Sequence, residues 1–126
     1  MMMMRNIDRG VAVLLGIFGL LHAYGSLLAY AFLTPELVWA WSATALCLLI
    51  AVLNFIRAGR PADGTLAWIC FAADVTWVIL ALSFAVSGGN LADPRALLHA
   101  LAAAILAGFA WRTAAAAPGF GARVAA

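Results

Sequence analysis

The chain has 126 residues, 67% of them hydrophobic and 10% charged, with a formal net charge of +2. Soluble domains average about 45–50% apolar and 25% charged residues, so there is too little polar surface here to cover a water-soluble fold. Seven arginines, no lysine and five acids also leave no basic stripe for a nucleic-acid partner.

A bilayer-spanning helix needs about 20 mostly apolar residues. The first such stretch, Val11–Leu33, runs on without the small-residue cleavage site of a signal peptide and reads as a retained transmembrane helix. Met1–Met4 ahead of it is set aside. The second span covers Glu36–Ile56, opened by Thr34-Pro35-Glu36 with proline at a helix start. The third, Thr65–Val86, follows the break Arg57–Gly64. The fourth, Arg95–Trp111, follows Ser87-Gly88-Gly89-Asn90 and Asp93-Pro94. Residues 1–113 thus form one transmembrane domain, and Ala114–Ala126, with Pro118, Gly119 and Gly121, is expected to be a mobile cytoplasmic tail.

The expected fold is all-α, an antiparallel bundle of four transmembrane helices joined by short connections. Arg5, Arg9, Arg57, Arg60, Arg112 and Arg123 fall on one side of it and only Arg95 on the other, so both termini are expected in the cytoplasm. Tyr30, Trp39 and Trp41 would mark the outer interface, Trp68 and Trp111 the inner one. Arginine without lysine, beside abundant alanine and glycine, suggests a bacterial gene and an inner-membrane home.

Lipid gives no hydrophobic drive for helix association, so small residues and interhelical hydrogen bonds must hold the bundle. Gly16, Gly19, Ala23 and Ser26 form one such stripe and Ala96, Ala100, Ala103 and Ala107 another, which pairs the first helix with the fourth. Thr44, Thr76 and Ser83 can bond back to their own helices. Cys47 and Cys70 sit in apolar runs without metal-ligand or disulfide spacing, and read as small hydrophobes in a core. Asn54 reads as a cap at the cytoplasmic end of the second helix.

Three ionisable residues fall at depth: His22, Asp74 and His99. With span midpoints near residues 22, 76 and 103 they share one layer, and the small-residue stripes turn both histidines inward. Such a trio reads either as a buried network in which Asp74 accepts an imidazole N–H, or as a ligand or proton site. One functional reading is a pocket for a quinone or other apolar ligand lined by Trp77, Tyr24 and Phe71. A second is haem b held by His22 and His99 with Arg95 on a propionate. A third is proton-coupled transport through an Asp/His relay, against which no second acid extends the path. No metal motif and no nucleophile with a local base is present, so no catalytic residue is assigned.

The first helix, Arg9-Gly10-Val11-Ala12-Val13-Leu14-Leu15-Gly16-Ile17-Phe18-Gly19-Leu20-Leu21-His22-Ala23-Tyr24-Gly25, resembles the opening helix of DoxX-like membrane proteins. The shared features are an arginine before a glycine-containing helix, a phenylalanine soon after, and a histidine six residues past the glycine, here Gly16 and His22. Ala23 and Ser26 depart from the family's histidine-glycine pair and following basic residue. The resemblance implies a non-catalytic accessory subunit or partner of a membrane redox enzyme, with His22 carried over; a second copy of the chain is the other expected partner.

Overall fold

The computed structural model describes residues 2–117, which form four helices and, among the described residues, no strand. They are α1 (Met2–Ala29), α2 (Pro35–Ala58), α3 (Gly64–Ser87) and α4 (Pro94–Ala116). Each is long and apolar enough to cross a membrane. The chain is therefore a multi-pass membrane protein built as a four-helix assembly.

The punctuation in the sequence sets the later helix starts. Thr34 Oγ1 accepts from the Leu37 amide at 3.4 Å, Asp63 Oδ1 from Leu66 at 3.0 Å, and Asp93 Oδ1 from Arg95 at 2.9 Å. Each satisfies an amide that the first helical turn leaves without a partner. Pro35 and Pro94 then occupy first-turn positions where no N–H is needed.

The first helix departs from the expected span at both ends, running from Met2 rather than Val11 and ending at Ala29 rather than Leu33. Arg5, Asp8 and Arg9 are polar enough to fall outside an apolar window, yet none of them breaks a helix. At the other end the chain stays apolar through the turn, which Leu33 closes in the left-handed region at φ 61°. The fourth helix likewise continues past Trp111 to Ala116, so Ala114–Ala116 belong to it. Residues 118–126 of the expected tail lie outside the described residues.

Contacts across α1 and α2 pair rising numbers with falling ones: Asp8 with Arg57, a Gly16 Cβ position with Ala51, and Gly19 with Cys47. The same opposition joins α3 to α4, through Trp68 with Trp111 and Trp77 with His99. These two hairpins are the broad interfaces, and α1 meets α4 along a narrower one. The glycine stripe of α1 thus serves α2, not the alanine face of α4 as its spacing suggested. A Cβ at Gly19 would lie 3.2 Å from Cys47 Sγ and 3.4 Å from Leu48 Cδ2, so hydrogen at that position lets the two helices close up.

Ala12, Leu15, Cys47, Ile50, Trp77, Ala103 and Leu106 make the shared core. Many large apolar side chains outside it, among them Leu20, Trp39, Leu49, Ile79 and Leu101, are exposed, as a lipid-facing surface requires. Thr44 and Thr76 donate to the carbonyls of Ala40 and Ala72 on their own helices. Both cysteines are buried and free.

Candidate functional site

The bundle interior carries two polar groups, one turn of α3 apart. The first gathers residues from all four helices around Arg57, whose side chain has 0% exposure. Its Nη2 donates to Asp8 Oδ1 of α1 at 2.6 Å, its Nε to Asn54 Oδ1 at 3.1 Å, and its Nη1 to Thr113 Oγ1 of α4 at 3.2 Å. Asn54 spends its amide protons on the Ile50 carbonyl at 3.1 Å and on Asp74 Oδ1 of α3 at 2.8 Å. Asp74 is itself 0% exposed, and its second oxygen, Oδ2, has no hydrogen-bond partner. The result is a continuous chain of polar contacts, Asp8–Arg57–Asn54–Asp74, with one open acceptor at its inner end.

The local reason is helix geometry. Asn54 and Arg57 stand three residues apart on one face of α2, where they meet each other and divide the neighbours between them, Asn54 reaching Asp74 and Arg57 reaching Asp8 and Thr113. Asp74 lies between Cys70 and Trp77 on the buried stripe of α3. An ion pair with no water around it survives only if each further proton and lone pair finds a partner. Asn54 and Thr113 supply those partners.

The second group surrounds His99 on α4. The Trp77 indole N–H faces His99 Nδ1 at 3.4 Å, and Cys47 Sγ lies 3.9 Å from the same nitrogen while its own shorter contact is to the Leu15 carbonyl at 3.5 Å. An acceptor at Nδ1 puts the proton of a neutral ring on Nε2, and the Phe18 backbone is a further hydrogen-bond partner of the ring. The ring of Phe18 lies 5.6 Å from that of His99, and His22 lies 6.3 Å from it at 82°. His22 is exposed, with the Ala40 backbone beside it.

His22 and His99 therefore come together, but Asp74 does not join them through a hydrogen bond: it accepts from an asparagine rather than an imidazole. Trp77, about 4.5 Å further along the α3 axis, is the α3 side chain that reaches His99. The depth estimate also changes. Because α1 runs from Met2 to Ala29, its midpoint falls near Leu15 and Gly16, which leaves His22 about 10 Å toward Ala29. His22 is also turned outward between buried Gly19 and Ser26, contrary to the inward orientation expected from the stripe.

Other expected lining residues lie elsewhere. Tyr24 is exposed, and Phe71 packs on Trp68 and Trp111 at 5.7 and 5.5 Å. Arg95 is held by Asp93, Nη2 to Oδ2 at 2.8 Å and Nε to Oδ1 at 3.1 Å, so the expected propionate partner is already engaged. Among the described residues no three His, Cys, Asp or Glu side chains are placed to hold a metal ion. The surface depressions at Ile79–Ser87 and Arg60–Asp63 touch neither polar group.

Sequence reasoning missed Asp8, Asn54, Arg57 and Thr113 as site residues. Asn54 was expected to cap a helix end and Arg57 to serve only as a cytoplasmic charge, whereas both are buried. The three-residue spacing of Asn54 and Arg57 was the available signal. Comparison of the chain with protein-family models, curated proteins and solved structures finds no match.

Proposed function

We propose that the chain resides in a bacterial inner membrane with both termini cytoplasmic, and that it couples proton exchange at Asp74 to movement of a small molecule or ion. The carrying observation is the carboxyl of Asp74, buried in a bilayer-spanning helix with one oxygen unpartnered and the other tied through Asn54 to Arg57 and Asp8. An ionisable side chain in that position is costly to insert and marks function by default. Asp8 also supplies the second acid that a relay needs toward the end bearing the termini. Arg57 pairs with Asp8 and reaches Asp74 through Asn54, so a proton gained at Asp74 alters the balance of charge around a guanidinium bonded to side chains of α1, α2 and α4.

Asp74→Asn separates this role from scaffolding. The amide oxygen of the new residue still accepts from Asn54 Nδ2, so the fold is retained while the exchangeable proton is removed. Proteoliposomes given a step in external pH should show a charge displacement on a solid-supported membrane, abolished in Asp74→Asn. An equal displacement in the variant sinks the proposal.

A second reading rests on His22, an imidazole exposed on the apolar surface beside half-buried His99. Polar atoms there suit a ligand arriving laterally from the bilayer with a carbonyl or hydroxyl, such as a quinone, and the Gly16–His22 spacing shared with DoxX-like proteins supports an accessory role beside a redox enzyme. Quenching of Trp77 fluorescence by a short-tailed benzoquinone, lost in His99→Leu, is the expected result. Equal quenching in both proteins refutes it.

A further inference from the structure

The end of the bundle that bears the termini holds a set of guanidinium groups that the internal network does not use. Arg5 and Arg9 stand four residues apart on one face of α1, and Arg60 directly follows Gly59, against which Arg9 packs. Asp8 turns its carboxylate to Arg57, and among the described residues no carboxylate lies within ion-pair distance of Arg5, Arg9 or Arg60. Arg9 is the most constrained of the three. Its guanidinium carbon sits 5.0 Å over the ring of Phe55, and its Nη2 lies 2.8 Å from where a Cβ would stand on Gly59. Its Nε is buried with no hydrogen-bond partner.

These observations specify both a chemistry and a location. Phe55 is exposed on the apolar surface, so Arg9 rides on a lipid-facing ring rather than in the bundle interior. Gly59 caps α2 and Arg60 begins the connection to α3, so the guanidiniums lie where the helices leave the hydrocarbon. Trp68 and Trp111, exposed and edge-to-face at 5.3 Å near the same end, mark the interfacial level. A guanidinium with no carboxylate partner at that depth calls for an anion that the bilayer itself presents.

We infer that Arg9, flanked by Arg5 and Arg60 and seated over Phe55 and Gly59, binds the phosphodiester of an anionic phospholipid in the leaflet at the end bearing the termini. The planar guanidinium can offer paired N–H groups to two phosphate oxygens. Gly59 leaves it the room to do so.

The test is native mass spectrometry of the full chain released from micelles containing equal amounts of phosphatidylglycerol and phosphatidylcholine. The native chain should retain phosphatidylglycerol preferentially. Arg9→Gln should lower that retention about five-fold, the equivalent of about 1 kcal/mol per basic residue at a membrane surface, and leave phosphatidylcholine unchanged. Gly59→Ala, which keeps every charge but pushes Nη2 aside, should lower it in part. Arg95→Gln, at the opposite end, should not alter it. Equal retention of both lipids by the native chain, or undiminished phosphatidylglycerol in a folded Arg9→Gln, overturns the inference. So does displacement of the lipid by millimolar inorganic phosphate, which would make a free anion the occupant.

Discussion

Replacing Arg57 with methionine tests whether the buried network holds the bundle together. The substitution keeps length and apolar volume but strips Asp8 Oδ1, Asn54 Oδ1 and Thr113 Oγ1 of their donors at 2.6, 3.1 and 3.2 Å. Removing one member of a buried ion pair costs about 3–5 kcal/mol, because the remaining charge stays buried without its counter-charge. The hydrogen bond to Thr113 adds about 0.6 kcal/mol on the average found between membrane helices, and the one to Asn54, within α2, about 0.5 kcal/mol more. Arg57→Met is therefore expected to lose about 4–6 kcal/mol, and Asp8→Leu somewhat less, since Arg57 keeps its other two acceptors. The double variant should recover most of the loss, because apolar residues of similar volume replace a buried pair at little net cost. Unfolding free energies measured in bicelles by steric trapping, arranged as a double-mutant cycle, read these differences directly. A single Arg57→Met cost below about 1 kcal/mol, or a double variant equal to the sum of the singles, would refute the assignment.

Three further outcomes follow from local geometry. Gly19→Val drives a side chain against Cys47 and Leu48 and should destabilise the bundle by about 1–3 kcal/mol; the same assay reads it, and an unchanged stability would mean that α1 and α2 are less closely packed. Leu33→Gly should gain about 1 kcal/mol by relieving a left-handed backbone at φ 61°, and a loss would show that the Leu33 side chain anchors the turn. At Asp93, the hydrogen bonds from the Arg95 side chain and backbone hold the carboxyl below its ordinary range. A lowered folded-state value means that its contribution is complete above the ordinary carboxylate range and fades as pH falls through the lowered one. Carboxyl carbon chemical shifts followed through an acid titration should place its midpoint below that of a free aspartate, and an ordinary midpoint would exclude the paired geometry.

Four membrane-spanning helices and three of their four starts were legible from the chain alone, because spanning depends on summed apolar length and capping on residues adjacent in sequence. Thr34-Pro35, Asp63 and Asp93-Pro94 act within one turn of where they stand, so no distant contact can overrule them. The proximity of His22 and His99 was also within reach, since both lie in apolar helices at comparable distances from the connections. Rotation about each helix axis was not. One residue turns a helix by about 100°, and lipid rewards an apolar face no more than a neighbouring helix does, so hydropathy carries little record of which side faces inward. That is why the glycines of α1 were assigned to the wrong partner, why His22 faces outward, and why Asp74 pairs with Asn54 rather than an imidazole. Arg57 shows the limit most clearly: in sequence it is one more positive charge beside a turn, and only the arrival of Asp8 from α1 and Thr113 from α4, beside Asn54 of its own helix, makes its burial affordable.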